Sequence, residues 1–286
     1  MFNLPEWISH IIIYIILGTV QGLTEFLPIS SSGHLLLAEK LLGYNDSTPG
    51  LEILLHVATL AAVVWVYRND LLRILSSIFS PQDRSKGAVR DRALLLWLVL
   101  GTIPVVIIAV PPVRDIIPYV EFAENLKNQT WAVPAIAFAL IVTGLLMYIL
   151  DRLRSDDSTT FNNRGWRSFF IGIAQCIAIM PGISRSGSTI FAGVLLGLNR
   201  EDAARYSFLL SIPAILGALV LKWNDVTSVT DLATAPVLCG VGAAFLSGIL
   251  AINWLVSMLV HSRVYVFAIW TWLVAISALV YFYFYM

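Results

Sequence analysis

Gln21-Gly22-Leu23-Thr24-Glu25-Phe26-Leu27-Pro28-Ile29-Ser30-Ser31-Ser32-Gly33-His34 decides how this chain folds, because its grammar returns much later. The second stretch is Gln175-Cys176-Ile177-Ala178-Ile179-Met180-Pro181-Gly182-Ile183-Ser184-Arg185-Ser186-Gly187-Ser188-Thr189. Laid over each other without gaps, Gly18 meets Gly172, Gln21 meets Gln175, Ser30 meets Ser184, and Ser32-Gly33 meets Ser186-Gly187. The match runs on through Ala38 with Ala192 and Leu41-Leu42-Gly43 with Leu195-Leu196-Gly197. In both places proline, glycine and hydroxyls interrupt a helix inside apolar sequence. Paired interruptions of this kind in membrane proteins point to a buried site between two repeats.

Composition places the chain in a bilayer. Of its 286 residues 58% are hydrophobic and 13% charged, about half the charged share of a soluble domain. The net charge of zero argues against a nucleic-acid partner. Cys176 and Cys239 stand in apolar context without CxxC or Cys/His spacing, so they read as small hydrophobes. Near the N-terminus Glu6 is the only charged residue. The basic region of a signal peptide is absent there, and Ile8 to Leu17 is expected to be retained.

Apolar segments with the length of a crossing, about 20 residues, run near Leu51–Tyr67, Ala93–Val113, Trp131–Leu150, Ala203–Leu221, Pro236–Val260 and Val264–Tyr285. Trp7–Gly43 and Gly165–Gly197 are too long for one span and broken in the middle. Each is expected to be a re-entrant helix pair that leaves the bilayer on the side it entered, its broken backbone satisfied by protein or water. The fold expected is therefore an all-α polytopic membrane protein of one domain, with about six transmembrane helices and two re-entrant hairpins. Its two inverted repeats would cover about 1–152 and 153–286.

The basic residues orient this topology. One side collects Arg68, Arg73, Arg84, Lys86, Arg90, Arg92, Arg152, Arg154, Arg164, Arg167, Arg200, Arg205 and Arg263, the other only Lys40, Arg114, Lys127 and Lys222. The richer side is cytoplasmic by the positive-inside rule, which puts both termini and the mouth of the first hairpin outside.

Glu25, His34 and Arg185 then fall at membrane depth, where a charge costs about 2.5–3.5 kcal/mol on the insertion scale. Such residues default to function, although a structural Glu25–Arg185 pair locking the hairpins is a competing reading. Gln21 and Glu25 share one helix face. Ser30, Ser31 and Ser32 precede His34, so a serine or the histidine could attack an electrophile with its neighbours as base and orienter. The second stretch joins a guanidinium fork, the hydroxyls of Ser184, Ser186 and Thr189, and a helix start near Gly187. That is the chemistry of an anion site, phosphate above all, without the Walker A pattern. His56 and Thr59 lie on the next expected helix and could face the site, although a hydrogen-bonded core role is the favoured reading; His10 and His261 read as interfacial, and the Trp and Tyr residues as interfacial belts.

Together, Gln21-xxx-Glu25 with Phe26 to His34, and Pro181 to Thr189, closely resemble the undecaprenyl-diphosphate phosphatase family of the BacA type, over nearly the whole chain including Ser207-Phe208-Leu209-Leu210-Ser211-Ile212-Pro213. The resemblance implies hydrolysis of a polyprenyl diphosphate to monophosphate and phosphate, recycling the lipid carrier of cell-wall synthesis and giving bacitracin resistance. It implies Glu25, Ser31, His34 and Arg185 as catalytic residues and Gln21, Ser30, Ser32, Ser184, Ser186 and Thr189 as substrate-binding. Ser31 is the favoured nucleophile, with His34 as acid or base and Glu25 orienting it; attack by water or by His34 stays open. A divalent cation, Mg2+ or Ca2+, is implied too, with Glu25 as its ligand. Gln21 stands where some members have a second glutamate, so one carboxylate alone would have to share the metal with substrate and water. The lipid diphosphate and the cell membrane are the expected partners, with a homodimer compatible with them. The rival reading is a secondary transporter or polyprenyl-phosphate flippase using the same mid-membrane anion site.

Overall fold

The computed structural model describes residues 5–44, 49–80, 82–110, 113–126, 129–153, 165–227, 234–261 and 263–285. Arg154, Arg164 and Lys127, part of the charge count, lie outside them. Every regular element among the described residues is an α-helix. The chain opens with α1 (Glu6–Phe26), α2 (Ser31–Leu42), α3 (Pro49–Val66), α4 (Arg68–Phe79) and α5 (Lys86–Ala109). Two short helices, α6 (Val113–Ile116) and α7 (Pro118–Asn125), lead to α8 (Ala132–Arg152). After α9 (Trp166–Ile177) and α10 (Arg185–Leu195) come α11 (Arg200–Leu221), α12 (Trp223–Thr227), α13 (Ala235–Val260) and α14 (Tyr265–Tyr285).

Six of these helices are long and apolar enough to cross a membrane: α1, α5, α8, α11, α13 and α14. The number matches the expectation, but its membership differs. The span expected at Leu51–Tyr67 qualifies only together with α4, from which it is bent by 75°. Residues 68–92, a loop between the spans expected at Leu51–Tyr67 and Ala93–Val113, carry α4 and the start of α5. The reason is amphipathicity: Leu72, Leu75, Ile78 and Phe79 of α4 are exposed apolar groups while Ile74 and Ser77 are buried. Such a helix suits the bilayer boundary rather than its centre. The first broken stretch also departs from a symmetric hairpin, because α1 alone has 21 residues. By contrast α2, α9 and α10 have 12, 12 and 11 residues, about 18 Å against a hydrocarbon core of about 30 Å.

The breaks have local causes. Pro28 pushes Leu27 into extended backbone (φ −63°, ψ 140°) and stops α1, since a residue before proline avoids the helical region. Ser30 then caps α2 by accepting the Gly33 N–H at 3.4 Å, and Ser184 caps α10 by accepting the Gly187 N–H at 3.0 Å. Both short helices close on a glycine of positive φ, Gly43 (65°) and Gly197 (91°). Caps and closing glycines are the residues that superpose in the sequence repeat.

The packing is reciprocal as well. α1 crosses α13 so closely that a Cβ on Gly18 would lie 2.1 Å from the Gly240 carbonyl oxygen. Its repeat partner Gly172 meets α5 in the same way, with a Cβ falling 2.2 Å from the Gly101 carbonyl oxygen. Small residues that let backbones approach are how helices associate where lipid supplies no hydrophobic drive. Ionic contacts gather near the predicted cytoplasmic end. Asp70 pairs with Arg73 and, at 2.8 Å, with Arg205. Arg200 donates to the carbonyls of Leu150, Asp151 and Leu153 at the end of α8. Asp151 in turn accepts the N–H groups of Val264 and Tyr265 at the start of α14.

Candidate functional site

Ser31 is the first residue of α2 and Arg185 the first residue of α10, and the register that superposes Ser30 on Ser184 superposes these two. The two helix starts converge on one carboxylate. Ser31 donates its hydroxyl to Glu25 Oε2 at 2.7 Å, and Arg185 Nη2 contacts Glu25 Oε1 at 2.5 Å. Gln21 Nε2 donates to Oε2 at 3.0 Å, one turn earlier on α1. The Glu25 and Arg185 side chains are only 6% and 19% exposed. An ion pair this sheltered resists solvent screening. His56, favoured as core but placed on a helix that could face the site, comes from α3 to within 3.6 Å of Glu25 Oε2; Thr59 is buried and bonds to the His56 carbonyl, as the core reading expects.

The two turns are stitched to each other. Ser32 Oγ accepts the Gly182 N–H at 3.3 Å, and Ser186 donates to the Leu27 carbonyl at 3.3 Å. Ser184 and Ser186 share a hydrogen bond at 3.1 Å. Thr143 of α8, which no motif pointed to, holds the second turn from behind. Its hydroxyl donates to the Gly182 carbonyl and accepts the Ser184 N–H, each at 3.0 Å. A threonine in an apolar span is the only sequence signal it carries. Ser30 has φ 74°, the sole positive φ of a non-glycine among the described residues. That conformation costs about 1 kcal/mol or more and clusters at functional sites.

Two expected residues sit elsewhere. Thr189 is buried and turned toward α11, sharing a hydrogen bond with Ser207 at 2.6 Å. It therefore binds two helices together and does not face the carboxylate. His34 makes its hydrogen bonds away from Glu25: Nδ1 with the Ser30 carbonyl at 2.8 Å and Nε2 with the indole N–H of Trp270 at 2.9 Å. An indole N–H only donates, so Nε2 is the acceptor and the ring proton is assigned to Nδ1. Trp270 was expected only as an interfacial anchor.

The donor set does not make a cation cage. No group of three His, Cys, Asp or Glu side chains that could hold a metal exists among the described residues. Glu25 is the one carboxylate here, and both of its oxygens are engaged by cationic or neutral donors. A hard cation asks for six or more oxygens, which these side chains do not supply. Gln21 Oε1 is buried without a hydrogen-bond partner, an acceptor left over beside the ion pair.

This is a polytopic helical membrane protein whose two broken segments bring a serine, a guanidinium and a glutamate into one sheltered cluster. The family described as "Bacitracin resistance protein BacA" matches residues 14–277, and the chain belongs to it. It is 40% identical over 270 residues to the "Undecaprenyl-diphosphatase" of Methanobrevibacter smithii, covering 92% of this chain and 94% of that one. Similar proteins include the "Undecaprenyl-diphosphatase" of Desulfatibacillum aliphaticivorans, 36% identical with 95% and 98% covered. "Undecaprenyl-diphosphatase 1" of Shouchella clausii is 37% identical with 93% and 95% covered.

Proposed function

We propose that this protein is an integral membrane phosphatase that hydrolyses undecaprenyl diphosphate to the monophosphate and inorganic phosphate, recycling the lipid carrier of cell-wall synthesis and giving bacitracin resistance. One observation carries the reading: Ser31 and Arg185, from equivalent positions of the two broken segments, meet on the Glu25 carboxylate. The names of its relatives agree with it.

In the reaction so read, the terminal phosphate takes over Arg185, which also lies beside two helix N-termini suited to an anion. Losing the guanidinium restores basicity to Glu25, which accepts the proton of Ser31 as Oγ attacks the terminal phosphorus. The bond to the bridging oxygen breaks and the lipid monophosphate leaves. His34, one turn after Ser31 on α2, takes a proton from the water that attacks the phosphorus held on Ser31; the bond to Ser31 Oγ breaks, Oγ regains its proton from Glu25, and His34 returns its proton to the departing phosphate. Arg185 stabilises the charge of both transition states. Glu25 orienting His34, the expectation from sequence, gives way here to Glu25 acting on Ser31, because that hydrogen bond exists. No step runs through a metal, since the donor set does not fit one.

The same reading makes α1–α2 and α9–α10 re-entrant segments of two inverted repeats, about 1–152 and 153–286. Its supports are the repeated caps, the reciprocal Gly18–Gly240 and Gly172–Gly101 crossings and the short α2, α9 and α10. Placing this protein in the cell membrane with termini and site facing outward rests on the basic residues near Asp70, Asp151 and Asp202. The prenyl tail has candidate seats in two adjoining apolar clefts along α5 and α11, about 560 Å³ each, one of which reaches Ile179 beside the second turn.

Phosphate release from a polyprenyl diphosphate by the purified protein in detergent tests the reading, because a flippase has no compartments to work between there. Wild-type protein is expected to release phosphate and Arg185→Ala to release none while remaining folded. Binding without release by the wild type would favour transport. Light scattering of the detergent complex reports whether two 31.6 kDa chains associate as the homodimer of this reading.

A further inference from the structure

We propose that Trp270 is the positioning residue that selects the reactive nitrogen of His34. This rests on His34 serving as a base in the proposed reaction. Trp270 lies on α14, at the far end of the chain from α2, yet its indole N–H donates to His34 Nε2 at 2.9 Å. The two rings are parallel to within 10°, with centroids 6.3 Å apart. At the other edge of the imidazole, Nδ1 faces the Ser30 carbonyl at 2.8 Å. That carbonyl belongs to the residue forced into positive φ, so its direction is set by the break itself.

The pair of contacts admits one neutral tautomer. A proton on Nε2 would set N–H against N–H at Trp270 and leave a lone pair facing a carbonyl at Ser30. With the proton on Nδ1, both contacts are attractive, and Nε2 carries the lone pair that a base needs. The indole has its own reason to hold the contact. Trp270 is 50% exposed on a helix long and apolar enough to cross a membrane, and an unmet N–H at that depth is costly. The bond also occupies Nε2 in the resting state, so the water to be activated takes the place of the indole N–H there. On proton transfer Nε2 becomes N–H, while Nδ1–H remains on the Ser30 carbonyl and supports the imidazolium. Trp270 touches neither phosphorus nor nucleophile in this scheme; it acts through the histidine.

Replacement of Trp270 by benzothienylalanine tests the proposal, since sulfur replaces the N–H and the bicyclic shape is kept; Trp270→Phe is the genetic counterpart. The tautomer is read by 15N NMR of histidine-labelled protein, with His34 assigned among the four histidines by its loss in His34→Gln. Turnover is read as phosphate release from a polyprenyl diphosphate. In wild type the His34 signal is expected to be that of a single Nδ1–H tautomer. In the isostere a Nε2–H population is expected, with kcat lower by about tenfold, the scale of one hydrogen bond, and KM within about twofold. An isostere with unchanged tautomer and unchanged kcat overturns the proposal. So does a fall in kcat with the tautomer unchanged, which would assign Trp270 to packing alone. Wild-type turnover in His34→Gln would remove His34 from the chemistry and sink the reading beneath, an outcome distinct from either result on Trp270.

Discussion

The Glu25–Arg185 pair can be a lock, a catalytic element or both, and a double substitution separates these roles. The contact is 2.5 Å long, with side chains 6% and 19% exposed. Removing one member of such a pair strands the other and costs about 3–5 kcal/mol. The lower end is expected for Arg185→Gln, because Ser31 and Gln21 still donate to the stranded carboxylate at 2.7 and 3.0 Å. Glu25→Gln leaves the guanidinium without its acid and is expected to lie nearer the upper end. The double variant Glu25→Gln/Arg185→Gln removes both charges, so most of the stability should return. Turnover should follow another rule. Loss of one preorganised donor to a developing charge costs about 10²–10³ in kcat, and no second substitution restores it. Thermal unfolding in detergent measures the first quantity and phosphate release the second, on the same preparations, as a double-mutant cycle. A double variant that recovers turnover along with stability would make the pair a lock and refute Arg185 as a phosphate ligand.

Ser31→Ala should abolish phosphate release, by about 10³-fold or more, with unfolding temperature little changed; substantial residual turnover would transfer the attack to water or His34. Thr143→Val removes the hydroxyl that serves both the Gly182 carbonyl and the Ser184 N–H, stranding two buried groups. A loss of about 1–3 kcal/mol, together with slower turnover, is expected in the same two assays. Gly18→Ala and Gly172→Ala force a methyl onto a backbone carbonyl at 2.1 and 2.2 Å, and each should destabilise by about 1–3 kcal/mol or more. Gly217→Ala, with nothing within 4 Å of the added carbon, should be tolerated; equal effects at all three would remove the reciprocal crossings from the account.

What could be read in advance was whatever the repeat wrote twice. Ser30 and Ser184 are caps in both halves, Gly43 and Gly197 end both short helices, and Gly18 and Gly172 mark both close crossings. Each depends on backbone geometry within a few residues or on a small side chain, so each leaves a local trace. The bend between α3 and α4 leaves none of that sort. It falls at Tyr67–Arg68 without proline or glycine, where Arg68, Asp70 and Arg73 shift the chain from apolar to amphipathic, and residues 68–92 accordingly read as a loop. Thr143 and Trp270 were hidden for another reason. Their partners lie 39, 41 and 236 positions away, and a threonine in a span or a tryptophan near its end is commonplace.

In the proposed reaction the departures from the repeat carry the chemistry. In the common register Ser31 answers to Arg185, Glu25 to Ile179 and His34 to Ser188. One half thus contributes carboxylate, hydroxyl and imidazole, and the other a guanidinium at the same helix start. Identical halves would have faced each other with like groups: two guanidiniums repelling, or two carboxylates with no counter-charge in a medium where an unpaired charge is costly. Divergence at these positions lets each half neutralise the other in the resting state. It also leaves the arrangement one exchange away from binding an anion, because a phosphate that takes over Arg185 frees the very carboxylate that holds the Ser31 hydroxyl. In the proposed reaction, the resting ion pair and the reactive site are two pairings of the same three side chains, and substrate charge selects between them.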